Sequence, residues 1–216
     1  MIETKQRRAT ATAEPSGTAG TKRDVLIAVA RARFGQAGYH ATSTNDLVAL
    51  ASATRGALYH HFVDKKHLFA EVARQVAQEL SQTASEAVET MAGTTWERML
   101  AALPTYLLFV AANPEAQRIL LIDGPSVLGW QDWRDLQSAI ILPRTVEGLD
   151  MLMDEGVIRR APAEPLAHLI LAALNDAALT VAHAQDPESA RTEMSDALLQ
   201  LIAGLKSPSM TKNSVG

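Results

Sequence analysis

The chain has 216 residues, enough for one large domain or two small ones around a sizeable core. It contains no cysteine, which excludes disulfides and thiolate metal sites and fits a reducing compartment. The formal net charge of −4 conceals an asymmetry: residues 1–74 carry 11 Lys/Arg against 6 Asp/Glu, and the remainder 9 against 18. A basic front on an acidic body points to a polyanionic partner for the front alone. Abundant alanine and few aromatics favour helix. No apolar run is read as approaching the roughly 20 residues of a membrane span. The polar N-terminus lacks an apolar signal core, so a cytoplasmic protein with no membrane partner is expected.

In chain order, residues 1–20 offer no apolar face and are expected to be a disordered tail. Its Lys5, Arg7 and Arg8 are available for loose DNA contacts. From Lys22, the residues Val25, Leu26, Val29, Ala30 and Phe34 recur at helical spacing, and Gly35 and Gly38 mark the end of that helix. A short second helix carries Leu47, Val48 and Leu50, with Thr42 or Ser43 as its N-cap and Asp46 in its first turn. After the break Ala51-Ser52-Ala53-Thr54, Thr54 caps a third short helix running to about His61, with Leu58 and Phe62 facing inward. Asp64 is the next N-cap, opening a long helix from Lys65 to about Met91. Further helices are expected near 95–112, 114–122, 126–155 (broken near Pro143), 162–184 and 187–205. The fold class is all-α. The expected organisation is a tail over 1–20, a three-helix unit over 21–66, a larger helical domain over 67–206, and a second tail over 207–216.

Two short helices joined by a tight turn and braced by a preceding helix make a helix-turn-helix, whose second helix lies in the DNA major groove. The stretch Thr54-Arg55-Gly56-Ala57-Leu58-Tyr59-His60-His61-Phe62 meets the demands of that position. Gly56 and Ala57 allow close approach, and Arg55 can donate bidentately to guanine. Tyr59, His60, Lys65 and Lys66 are placed for phosphates, as are the free N–H groups at the helix starts.

The span from about Arg23 to Val72 resembles the tetracycline-repressor (TetR) family of one-component bacterial regulators. The resemblance rests on Phe34, Gly38-Tyr39, Thr42, the apolar second helix, the 54–62 stretch, Lys65 and Leu68. It implies nine or ten helices, with an N-terminal DNA-binding domain and a C-terminal domain that dimerises and binds a small ligand. By that resemblance Thr42, beside Ser43, contacts phosphate, and Thr54 caps the recognition helix and touches the backbone. Arg55 and Ala57 face bases, while Tyr59, His60 and Lys65 hold phosphates. Phe34, Leu47, Leu58 and Phe62 form the small core. One departure is Ser52, where the family usually has glycine. A left-handed backbone there costs roughly 1–2 kcal/mol.

The three histidines of this span also invite a metal reading. Adjacent helical residues point about 100° apart, so His60 and His61 do not share an ion easily, His67 lies six residues on across a helix boundary, and Asp64 is the only nearby carboxylate. No metal or other cofactor is expected. His61 reads as a packed or surface residue.

In the second half, Trp96, Met99, Leu103, Tyr106, Phe109, Trp130 and Trp133 are candidate pocket residues, and 125–133 reads as a gate over the pocket. His168 and Asn175, polar on an apolar helix, are candidates for the ligand or the dimer seam. Leu166, Ile170 and Leu174 on one helix, and Leu198, Leu201 and Ile202 on the next, form broad apolar faces. The resemblance assigns these to a four-helix bundle with a second subunit. The expected protein is a homodimeric, ligand-responsive regulator, a repressor released from a palindromic double-stranded DNA operator by a small apolar or amphipathic effector. It is not expected to be an enzyme. The alternative is a small-molecule-binding or enzymatic bundle with an accessory basic domain. For that, Glu97, Arg98, Arg118, Asp123, Asp132 and Asp135 lack catalytic spacing.

Overall fold

The computed structural model describes residues 21–208, so the expectations for residues 1–20 and 209–216 lie outside the described residues. Helix α1 (Lys22–Ala37) opens with a capping box between Thr21 and Asp24 and buries Leu26, Ile27, Ala30 and Phe34. It ends at Gly38, whose φ of 86° suits glycine. Gly35 does not end the helix. It lies within it, where a Cβ would come 2.9 Å from Glu115 Cγ, so its role is to admit that neighbour.

Ser43 caps α2 (Thr44–Leu50), accepting from Asp46 N–H, and Thr54 caps α3 (Arg55–His61), accepting from Ala57 N–H at 3.1 Å. Between them, Ala53 N–H donates to Val48 O at 2.9 Å and Ser52 N–H to Ala49 O at 3.2 Å. This is a Schellman turn, and Ser52 takes its left-handed position with φ 48°. Asp64 caps α4 (Lys65–Glu89), 25 residues or about 37 Å of helix. Phe34, Leu47, Leu58 and Phe62 are buried together, and Phe69 of α4 meets Phe34 edge-on at 5.3 Å.

Helix α5 (Thr95–Ala111) has its own capping box, Thr94 with Glu97. The helix expected near 114–122 is one turn, α6 (Pro114–Ala116), running into a π-helical segment, Gln117–Asp123. The broken helix expected over 126–155 is three helices: α7 (Gly124–Leu128), α8 (Trp130–Ile140) and α9 (Leu142–Asp154). Gly129, at φ 86°, makes the first break, and Pro143 sits in the first turn of α9, where its missing N–H costs nothing. Helices α10 (Ala163–His183) and α11 (Pro187–Ala203) complete the larger unit. An isolated antiparallel bridge, Ile158 with Lys206, is the exception to helix.

One expectation is overturned here. Helix α10 is long and apolar enough to cross a membrane, with a mean hydropathy of 1.4. Its apolar face is spent inside the protein instead: Ala167, Ile170, Leu171, Leu174, Ala177, Ala178 and Val181 are buried among the other helices.

Candidate nucleic-acid interface and internal cavity

Helix α3 presents one face outward. Leu58 anchors the opposite face, which leaves Arg55, Gly56, Tyr59 and His60 exposed and Ala57 half-buried. Gly56 is the informative member. A Cβ there would meet only Thr54 Oγ1, at 3.8 Å, so nothing among the described residues requires glycine. The space it leaves is available to an outside partner.

Several residues expected at phosphates have partners within the chain. Thr42 is buried at 1% exposure, and its hydroxyl donates to Gly38 O at 2.8 Å, so it locks the α1–α2 corner. The Ser43 hydroxyl caps α2 and donates to Asp46 at 2.8 Å. The ammonium of Lys65 donates to Tyr39 O at 2.9 Å and Thr42 O at 2.8 Å, and lies 4.0 Å from the Tyr39 ring centroid. Burial lowers its pKa below that of an ordinary lysine. Lys65 therefore braces the start of α4 against the reading head. Lys66 reaches the other way, to Leu128 O at 2.9 Å and Asp132 at 3.3 Å. The 125–133 corner, expected to gate a pocket, thus holds the same end of α4. The Asp64 carboxylate already takes up the N-terminus of α4 through His67 N–H.

The two unassigned histidines gain places. His67 Nδ1 accepts from Val63 N–H at 3.2 Å, and its ring packs edge-on to Phe62. His61 is half-buried, with its ring edge-on to His60 and Phe62. Among the described residues, no three metal-binding side chains converge.

The larger unit encloses a cleft of about 420 Å³ between α4, α5, α9, α10 and α11. Of the proposed pocket residues, Met99, Leu103 and Tyr106 line it. Tyr106 is buried and donates to Asn175 Oδ1 at 2.7 Å, and burial pushes its phenol up, so it remains a donor. Asn175 therefore serves the cavity through Tyr106. The other aromatics lie elsewhere. Trp96 is buried beneath the Lys206 ammonium, and Phe109 is half-buried against the core. Trp133 donates to Leu120 O at 2.7 Å, with Gly124 making room for its ring. Trp130 is 63% exposed. His168 lies 3.5 Å from the Ser138 hydroxyl, away from the cavity.

Beside its larger aliphatic residues, the cavity is lined by small ones: Ser81, Ala84, Ser85, Ala102 and Gly148. The sequence does not mark Gly148 or Arg144 as cavity residues, and Arg98, weighed there only for an enzymatic bundle, also lines the cleft.

Comparison with known proteins agrees with this division. Residues 26–72 match the family model described as "Bacterial regulatory proteins, tetR family". Residues 96–205, half of the chain, match "Tetracyclin repressor-like, C-terminal domain". The chain belongs to the TetR family. It is therefore a DNA-binding transcriptional regulator by family. A solved TetR-family regulator from Pectobacterium atrosepticum is 38% identical, with a TM-score of 0.72 over 86% of this chain and 94% of that one. Curated relatives match over shorter spans. The HTH-type transcriptional regulator QacR of Staphylococcus aureus is 40% identical over 23% of this chain and 27% of its own length. The repressor AcnR of Corynebacterium efficiens is 37% identical over 33% and 39%. The chain thus spans well under half the length of these two relatives.

The apolar faces of the C-terminal TetR helices divide differently from the sequence reading. Ile170, Leu174, Leu198 and Ile202 are buried within their own chain, and Ile170, Leu174 and Ile202 line the cavity. Leu166 is half-buried. The outward apolar side chains are Leu169, 69% exposed, and Leu201, 59% exposed. The carboxylates weighed for the enzymatic alternative hold structure: Glu97 caps α5, Asp123 accepts from Tyr39 N–H, Asp132 meets Lys66 and Asp135 meets Gln131.

Proposed function

We propose that the chain is a homodimeric repressor that sets two α3 helices into successive major grooves of a palindromic operator and lets go when a small molecule fills the cleft. The observation that carries this is the course of α4. Its first turn holds the reading head through Lys65 and the α7–α8 corner through Lys66. Its later turns, Leu80 to Glu89, wall the cavity. A ligand that moves the cavity end of this helix moves the reading head, and a few kcal/mol of differential binding suffices to couple the two.

In this reading Arg55 and Ala57 meet bases, with Tyr59, His60 and the backbone around Thr54 on phosphates. Leu169 and Leu201, with Ala172 and Ala197 on the same faces, form the seam with the second subunit. This replaces the more inward residues expected from the sequence. A distant fold neighbour, RolR, was solved with resorcinol, which illustrates a small amphipathic ligand on this fold.

The test is a gel shift on the promoter region of the chain's own gene, with random DNA as competitor. A competitor-resistant complex is expected, and Arg55→Ala should narrow the gap between specific and random DNA by about 1–3 kcal/mol per reading head. Absence of such a complex for the wild type, or unchanged discrimination in the variant, refutes the assignment.

A further inference from the structure

We infer that the effector is an amphipathic carboxylate whose apolar body occupies the cleft and whose head pairs with Arg98 at its mouth. This deepens the preceding reading and rests on the cleft being the effector site. The inner wall is apolar: Leu80, Leu103, Ile170, Leu171, Leu174 and Ile202. Its hydroxyls are turned into the protein. Ser85 donates to Ser81 O at 2.7 Å, Thr105 to Ala101 O at 2.8 Å and Tyr106 to Asn175. An uncharged, largely hydrocarbon body therefore meets few free donors there, the half-buried Thr145 hydroxyl of α9 being one.

The mouth is different. Four charged side chains border it: Glu89, Arg98, Arg144 and Glu147. Arg144 is paired with Glu89 at 2.6 Å. Glu147 is exposed, one turn along α9 from Arg144, and can turn into water. Arg98 is half-buried on the facing helix α5 and has no carboxylate within 4 Å among the described residues. A partly desolvated guanidinium without a counter-ion gains most from an arriving carboxylate, which it can bind through two parallel hydrogen bonds.

Gly148 adds an independent sign that this opening is kept clear. It lies in the middle of α9 at a normal helical φ and lines the cleft, and a Cβ built on it meets no described atom within 4 Å. Glycine is a poor helix residue, and no neighbour demands it there. At about 30 Å³ per water-sized group, 420 Å³ holds on the order of 14 non-hydrogen atoms. That is a carboxylate of about ten to twelve carbons, or an aromatic acid of similar bulk.

The experiment is titration calorimetry on the full-length protein without DNA, using decanoate, decan-1-ol and decyltrimethylammonium below their micelle-forming concentrations. Decanoate is expected to bind at least ten-fold more tightly than the alcohol. Arg98→Gln should bring that ratio close to one while keeping alcohol binding. Gly148→Leu should lose both ligands while melting no lower than wild type, which shows a filled opening and not a damaged fold. Equal binding of acid and alcohol, a ratio unmoved by Arg98→Gln, preference for the ammonium probe, or no binding by any probe overturns the inference. The gel shift on unliganded protein separates the two readings. A specific DNA complex without decanoate binding sinks only the ligand class, and no complex sinks the regulator.

Discussion

Ser52 offers a clean perturbation, because its strain is local and its side chain makes no hydrogen bond among the described residues. It is exposed, and its φ of 48° is set by the two hydrogen bonds that close the Schellman turn between α2 and α3. Replacing it with glycine relieves roughly 1–2 kcal/mol of left-handed strain. The same change loosens the unfolded chain, which takes back about 0.5–1 kcal/mol. The net expectation is a stabilisation of about 0.5–1 kcal/mol, or a rise of about 1–4 °C in Tm for a protein of this size. Thermal and urea unfolding followed by circular dichroism read it directly, with an unchanged m-value expected. Ser52→Ala is the control, since it removes the hydroxyl but keeps the Cβ that causes the strain. It should leave the midpoint within about 0.5 kcal/mol of wild type. If Ser52→Gly lowers the midpoint, or Ser52→Ala raises it as much, strain at this turn is not the cause.

Three further variants probe the site. Gly56→Ala should melt higher, because helix propensity favours alanine by up to about 1 kcal/mol, yet bind operator more weakly in a gel shift. Unchanged DNA affinity would show that the space over Gly56 is not used. Lys65→Met should cost about 1–2 kcal/mol in urea unfolding, from the lost hydrogen bonds to Tyr39 O and Thr42 O. A variant with wild-type stability would contradict the brace. Tyr106→Phe leaves the buried Asn175 oxygen without its donor and should cost about 1–3 kcal/mol in the same assay. A neutral outcome there would mean that Asn175 finds another partner.

The helix boundaries near the reading head were legible because each is written in side-chain chemistry. Ser43, Thr54 and Asp64 are the caps the sequence offers, and the structure uses all three. The inward turn of Lys65 and Lys66 was not legible. Their partners include backbone carbonyls 23 to 62 positions away, and a carbonyl belongs to every residue, so no side chain announces it. The lining of the cleft is only partly legible for a related reason. Aromatics between 96 and 133 are conspicuous in the sequence, but Trp96 and Trp133 pack outside the cleft, whose lining is drawn from aliphatic and small residues on five helices. On α10 both sides of the helix carry leucine or isoleucine, so periodicity alone did not separate the inner Ile170 and Leu174 from the outer Leu169.

The inward Lys65 also changes how the proposed regulator should respond to salt. Each cation that neutralises a DNA phosphate steepens the fall of log K with log[salt] by about 0.9. Under the proposed DNA-binding role, with the ammonium of Lys65 held by Tyr39 O and Thr42 O, each reading head would release one fewer counterion than its sequence promises. Much of its grip must then come from groove fit and hydrogen bonding, which salt screens little. Such a head holds loosely to bulk DNA and keeps its preference for one site across a wide range of ionic strength.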